Sequence, residues 1–199
     1  APYGKPKYVQ KIYDYLLDLK EDGSFRLNLD YFDYCVGSTM TNNRFNEIFG
    51  GPPRIPTELL TERHMDLAAS VQKVTEEVVS RLSRFLCTET GLKNLCLAGG
   101  VALNCVANGK LLLDKHYKNI WVQPAAGDAG GSLGAALTAY YHYLEQPRII
   151  NKSCDLMQGA YLGPSYSQQE IEQRLLKIGA HYVTVSDIDL FELVAKDLA

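Results

Sequence analysis

No apolar run in the 199-residue chain approaches the length of a membrane-spanning helix, and no secretory leader is visible at its start. There is also no block of lysine and arginine: the formal net charge is −3. A membrane-embedded role and a broad nucleic-acid footprint are therefore not expected. Small phosphate ligands stay open, because backbone N–H groups bind them without side-chain charge. The five cysteines are odd in number and none is spaced as CxxC. Cys87, Cys96 and Cys105 sit among apolar neighbours and read, in a reducing cytoplasm, as small core residues. The four histidines, His64, His116, His142 and His181, form no HxxxH or HxH pair, so no histidine metal cluster is expected within the chain. Each reads first as a surface or packing residue, and His64 is the one worth testing. No repeat or low-complexity tract appears, and covalent hydrolase chemistry is not expected.

What is present is ordinary globular composition, 46% hydrophobic and 22% charged, enough for a normal core. The first residues, Ala1-Pro2-Tyr3-Gly4, lack an initiating Met, and the last ones lie within an amphipathic helical pattern. The expectation is a segment of a longer protein.

Apolar spacing predicts a helix over residues 6–20, a turn at Glu21-Asp22-Gly23-Ser24 and a strand over residues 25–29. A shorter strand is expected at 31–35 and a short helix at 42–49. Gly50-Gly51-Pro52-Pro53 with Pro56 then breaks the chain. Thr61 is placed to cap a helix of about seven turns. Leu67, Val71, Val74, Val78, Leu82 and Phe85 make its apolar stripe, and Lys73, Glu76, Glu77, Arg81 and Arg84 its solvated face. Residues 94–98 read as a buried strand, 101–113 as a helix, 119–123 as a second strand, and Gly130 or Gly131 opens a helix running to about residue 143. Strands alternating with helices at this spacing argue for an α/β layer with parallel strands. Beyond Pro147 the pattern predicts a connection at 149–154, a strand and turn at 159–164, and a helix at 167–177 boxed by Ser167 and Glu170. A strand at 181–185 and a last helix capped by Asp187 complete it.

The chemistry concentrates in residues 95–136, a β–α–β–α unit with two glycine turns. Gly99-Gly100-Val101-Ala102-Leu103-Asn104 lies where a strand becomes a helix, so the backbone can approach a ligand beside unpaired N–H groups. Asn104 and Asn108 share one helix face and can serve as surface amides or as partners of a ribose or base. Gly127-Asp128-Ala129-Gly130-Gly131-Ser132 repeats the arrangement one unit later. Asp128 can cap the following helix or reach a divalent cation. Two such turns at successive strand ends open into one crevice, where ligands of open α/β sheets bind. Arg44, Arg54 and Arg63, with Asn42 and Asn43, can line an anion pocket or decorate a solvated loop.

At these residues the chain resembles the O-carbamoyltransferases of nodulation-factor and antibiotic biosynthesis. The shared segments are Ala1-Pro2-Tyr3-Gly4, Asp22-Gly23-Ser24-Phe25, Thr39-Met40-Thr41-Asn42-Asn43-Arg44-Phe45, Phe49-Gly50-Gly51-Pro52-Pro53-Arg54 and Arg63-His64-Met65-Asp66-Leu67-Ala68-Ala69-Ser70, with both glycine turns. The resemblance implies an actin-like/sugar-kinase superfold half-domain with a mixed helical and β-hairpin insertion. On that basis residues 1–65 are the insertion, 66–147 the nucleotide- and metal-binding core, and 148–199 a connection into a YrdC-like region. It further implies that carbamoyl phosphate and ATP give a carbamoyl-adenylate, whose carbamoyl group passes to an acceptor hydroxyl on a small molecule or sugar. A divalent metal, iron by expectation, assists. Carried over residue by residue, Asp128 is the metal ligand, and Gly99, Gly100, Val101, Asn104, Gly127 and Gly130 contact the nucleotide; no residue of this chain is assigned a catalytic role.

The alternatives are a non-catalytic nucleotide-binding module of the same superfold and, more remotely, a sugar or acetate kinase, which would lack the Phe-Gly-Gly-Pro-Pro segment. The family's histidine ligands and its YrdC-like catalytic segment match nothing in these residues. A metal held by one carboxylate binds weakly, so the purified 199-residue chain is expected to transfer no carbamoyl group. Detectable transfer in a direct product assay would refute this.

Overall fold

A computed structural model describes residues 1–150 and 157–199. Helix α1 (Val9–Lys11) widens into a π-helical turn over Ile12–Leu16. Periodicity predicted helix as far as residue 20, but the chain turns extended at Leu17, with φ −138° and ψ 114°. A hairpin takes over there. β1 (Leu17–Leu19) pairs antiparallel with β2 (Phe25–Leu27), Leu17 opposite Leu27 and Leu19 opposite Phe25. Asp22 accepts from both the N–H and the hydroxyl of Ser24, closing the turn. Gly23 has φ +87°, and a Cβ there would lie 2.4 Å from the backbone nitrogen of Leu82, so the hairpin tip touches the long helix through a position only glycine fills.

β2 is shorter than expected because Asn28 accepts from the N–H of Asp30 and winds Leu29–Tyr31 into a 3-10 turn. The strand expected at 31–35 reduces to one bridge, Phe32 with Thr41. Helix α2 (Asn43–Phe49) forms as expected. Asn42 accepts from the N–H groups of Arg44 and Phe45, and left-handed Gly50 ends the helix.

Helix α3 (Glu62–Thr90) starts at Thr61 as expected and stops at left-handed Gly91. Its burial pattern differs from the expected stripe. Val74 is buried and Leu67 and Val78 pack at the edge of the core, but Val71, Leu82 and Phe85 are exposed. Asp66, Ser70, Glu76 and Ser83 are buried instead, so Glu76 does not belong to the solvated face. Its carboxylate is bonded to Lys110 of the next helix, which removes the penalty of burying an unpaired charge.

The main apolar cluster joins Ile12, Leu16, Leu17, Phe49 and Val74, with Tyr8, Phe32 and Phe45 at its edge. Phe49, 1% exposed, stands edge-on to Tyr8 at 5.7 Å and lies 4.5 Å from Phe45. The N-terminal arm is fastened to α3 by polar contacts. Lys5 N–H and Lys7 Nζ donate to Asp66 at 2.7 and 2.8 Å, and Tyr8 N–H donates to Ser70 Oγ at 3.0 Å. A Cβ on Gly4 would stand 1.9 Å from the Met65 carbonyl oxygen, so the arm lies directly on the helix backbone.

β3 (Asn94–Leu97), α4 (Cys105–Leu113) and β4 (Asn119–Val122) follow, and β3 and β4 pair in parallel with Leu95 opposite Ile120 and Leu97 opposite Val122. β3 is not buried on both faces: Cys96 is exposed, as is Cys105, and only Cys87 of the three sits in the interior. The helix expected from residue 101 begins later, because Gly100–Leu103 form a separate 3-10 turn and Asn104 caps α4. α5 (Gly130–Thr138) runs into a π-helical turn at Ala139–Tyr143, as the sequence indicated.

The chain divides into two compact units, Ala1–Arg148 and Ile149–Ala199. In the second, Gln158–Ala160 make a 3-10 turn rather than a strand. Helix α6 (Gln168–Lys177) carries the expected Ser167–Glu170 capping box. Residues 181–185 form no strand, since no described segment pairs with them. Helix α7 (Asp187–Leu198) is capped by Ser186, one residue before the expected Asp187; the Ser186 hydroxyl accepts from the N–H of Asp189. Cys154 and most of the expected connection fall outside the described residues. Among those described, no helix is long and apolar enough to cross a membrane.

The hydrogen bond from Lys7, and then that from the Lys5 backbone, hold the Asp66 carboxyl below its ordinary value of 3.8, against the opposing effect of burial. A carboxylate whose folded-state pKa is depressed stabilises the fold at every pH above the ordinary value, and that stability disappears as pH falls through the folded-state value. Urea denaturation should therefore show a fall in stability on acidification below pH 3.8. Asp66→Asn should lower stability at neutral pH and flatten the acid limb; an unchanged acid limb would contradict the assignment.

Candidate functional site

The two glycine turns stand at the same end of the parallel pair. β3 ends at Leu97, whose carbonyl accepts from Gln123 N–H at 3.1 Å, just past the end of β4. Gly99 N–H then donates to the Ala126 carbonyl at 2.8 Å. This bond ties the first turn to the second. Gly99 has φ +99°, a conformation that side chains resist, and the space beyond Gly99, Gly100, Gly127 and Gly131 is open. Gly130 differs: a Cβ there would meet the Ala125 carbonyl oxygen at 2.1 Å. Its glycine requirement belongs to the turn itself, which Gly130 N–H closes by donating to Gly127 O at 3.0 Å.

Val101 is exposed within the 3-10 turn, and Ala102 beside it is buried. Asn104 ends that turn and caps α4, its Oδ1 accepting from Ala107 N–H at 3.1 Å. Its amide is held further by Gln72 of α3, through bonds of 2.9 and 3.1 Å. Asn108 Nδ2 donates to the Ala102 carbonyl at 2.7 Å. The two asparagines thus brace the turn. Gln72 was not singled out from the sequence and Glu76 was read as part of the solvated face, although their i, i+4 spacing on α3 was a signal that they can bond each other.

Asp128 is exposed, and its carbonyl accepts from Gly131 N–H at 3.1 Å. Its side chain does not cap α5, whose N-terminal residue Ala129 carries no capping bond. The first turns of α4 and α5 begin beside the glycines, where helix N–H groups lack intrahelical partners and favour anions. Among the described residues no three His, Cys, Asp or Glu side chains gather so as to hold a metal ion. Asp128 therefore suits a metal only as a single ligand to a site completed from outside these residues.

Gly130-Gly131-Ser132-Leu133-Gly134 spells the Gly-x-Ser-x-Gly pattern of hydrolases, which the expectation against hydrolase chemistry passed over. Ser132 lies inside α5, and its hydroxyl donates to the Ala129 carbonyl at 3.0 Å, so it is not presented on a strand-to-helix elbow.

The arginines expected near an anion pocket are directed at protein. Arg63 Nη1 and Nη2 donate to the Gly51 and Pro52 carbonyls at 2.9 and 2.8 Å, and Nη2 lies 3.0 Å from His64 Nε2. Arg54 Nη1 donates to the Pro56 and Glu58 carbonyls at 2.9 and 2.6 Å, and Arg44 pairs with Asp30 at 3.5 Å. His64 accepts the Thr61 N–H on Nδ1 at 3.2 Å, which makes it part of the α3 cap. These side chains organise the Gly-Gly-Pro-Pro segment.

The glycine geometry gives a paired test. Gly130→Ala forces the backbone of the second turn apart and should destabilise the protein by about 1–3 kcal/mol, whereas Gly131→Ala, facing open space, should be tolerated. Urea unfolding of both variants checks this; equal stabilities would contradict the turn geometry.

The family described as "Carbamoyltransferase N-terminus" matches residues 1–137. The chain is 57% identical to the uncharacterized protein sll1178 of Synechocystis sp. over all of its own length and 32% of that protein's. It is 37% identical to nodulation protein NolNO of Sinorhizobium fredii, covering 91% of the chain and 24% of NolNO. It is 39% identical to nodulation protein NolO of Bradyrhizobium diazoefficiens, covering 69% of the chain and 23% of NolO. The chain thus spans between a quarter and a third of the length of these relatives, or slightly less. With its parallel strand pair, its joined glycine turns and this match, the chain belongs to the carbamoyltransferase N-terminus family.

Proposed function

We propose that this chain forms part of the transfer site of an O-carbamoyltransferase built on an actin-like/sugar-kinase half-domain. The observation that carries the reading is the bond from Gly99 N–H to Ala126 O, which places two open glycine turns side by side at one end of a parallel strand pair. Such a pair suits a phosphate group flanked by helix N-termini.

In this reading the whole protein uses carbamoyl phosphate and ATP to make a carbamoyl-adenylate, in a YrdC-like region that residues 148–199 lead into. The glycine turns hold the adenylate phosphate. The acceptor hydroxyl oxygen then bonds to the carbamoyl carbon, the bond from that carbon to the phosphate oxygen breaks, and AMP leaves with the electron pair while the hydroxyl proton passes to solvent. Unpaired N–H groups in the first turns of the adjoining helices would stabilise the leaving charge, and the braced turn would keep the donor oriented for attack. Asp128 supplies one carboxylate to a divalent metal, expected to be iron, whose other ligands lie outside these residues. Such an ion would contribute Lewis-acid polarisation of the carbamoyl carbonyl. The acceptor is a hydroxyl-bearing small molecule or sugar, and the reaction belongs to cytoplasmic biosynthesis.

Asp128→Ala in the whole transferase should reduce carbamoyl transfer by roughly a hundredfold or more and leave carbamoyl-adenylate formation within about twofold. Product mass spectrometry and an adenylate-trapping assay read the two steps separately. Unchanged transfer would remove the metal role, and nucleotide binding without any transfer by the wild type would favour a binding module.

A further inference from the structure

The braced turn depends on a residue outside it. Asn104 Nδ2 donates to Gln72 Oε1, and Gln72 Nε2 donates back to Asn104 Oδ1. A reciprocal amide pair is equally satisfied with both amides reversed. Two further partners remove that freedom. On one side Ala107 N–H needs an oxygen, so Asn104 must present Oδ1 to the start of α4. On the other, Gln72 Nε2 donates to Glu76 Oε1 at 3.0 Å, and a carboxylate accepts only, so Gln72 must present its NH2. The other oxygen of Glu76 is bonded to Lys110, near the far end of α4. The buried carboxylate of Glu76 thus fixes Gln72, which fixes Asn104. Asn104 begins α4 immediately after the Gly100–Leu103 turn.

We infer that Gln72 is a positioning residue for nucleotide binding: through its reciprocal amide pair with Asn104, oriented by Glu76, it sets the Gly99–Asn104 turn against the phosphate. The inference rests on the nucleotide-binding reading of the glycine turns given above. It assigns Asn104 a bracing role, because its Oδ1 accepts from Gln72 and Ala107 and its Nδ2 donates to Gln72.

The test uses the whole transferase with AMP as probe, binding read by calorimetry and transfer by product formation. Gln72→Met removes the amide pair with little change of volume. Asn104→Ser keeps a capping oxygen for α4 but loses the pair. Each should weaken AMP binding by roughly tenfold to a hundredfold and raise the KM for the adenylate-forming substrates in parallel. The double variant should bind no more weakly than the weaker single variant, since both remove one interaction. Gln72→Glu, which keeps the shape and turns the donor into an acceptor facing Glu76, should give the same loss and serves if Gln72→Met does not fold. Wild-type AMP affinity in Gln72→Met, or losses that multiply in the double variant, would overturn the inference. Gly99→Val separates the two levels: if it abolishes AMP binding while Gln72→Met does not, the positioning role fails and the nucleotide reading stands. If Gly99→Val also binds AMP normally, the nucleotide reading itself fails.

Discussion

Helix α3 buries polar groups that need partners, and among its described residues all but the Ser83 hydroxyl find one. Most of the arrangement of the first unit follows from meeting that requirement. Asp66 and Ser70 are answered by the backbone of the N-terminal arm. Arg63 draws in the carbonyls of the Gly-Gly-Pro-Pro segment. Gln72 and Glu76 reach to Asn104 and Lys110 of α4, and the carbonyl of Ser83 takes the Tyr117 hydroxyl at 2.7 Å. One helix therefore orders three otherwise irregular stretches, at successive positions along its length.

This accounts for why the signature segments occur together. Ala1-Pro2-Tyr3-Gly4, Phe49-Gly50-Gly51-Pro52-Pro53 and Arg63–Ser70 are far apart in the chain, yet the third holds the other two. Gly4 is needed because the arm lies on the Met65 carbonyl, and Arg63 is needed because the turn after α2 leaves carbonyls facing it. Their contribution is structural, and it places α3 where Gln72 can meet the glycine turn.

Local signals in the sequence were reliable where a cap or breaker set the boundary. Thr61 and Ser167 cap helices where their chemistry placed them, and the break at Gly50-Gly51 falls where α2 ends, while the parallel pairing of β3 and β4 followed from the alternation of strand and helix. Periodicity failed where long-range pairing competed with it. Leu19 fits a helix stripe, but β2 offers Leu17 and Leu19 ladder partners, so they leave the helix. Residues 181–185 have strand composition and no strand partner among the described residues. Glu76 reads as surface on a helical wheel, and its burial depends on Lys110, 34 positions later, together with Gln72. Within the site, the glycine turns and Asp128 were visible as motifs because glycine announces backbone geometry. The Gln72 brace was not, because a reciprocal amide pair depends on which residues two packed helices bring together.

The central claim is that the two glycine turns act as one phosphate-binding element. Hydrogen–deuterium exchange of the whole transferase, with and without AMP, tests it directly. The account predicts that residues 98–104 and 124–132 gain protection together at the same AMP concentration. AMP binding that protects only one of the two turns, or neither, would contradict it.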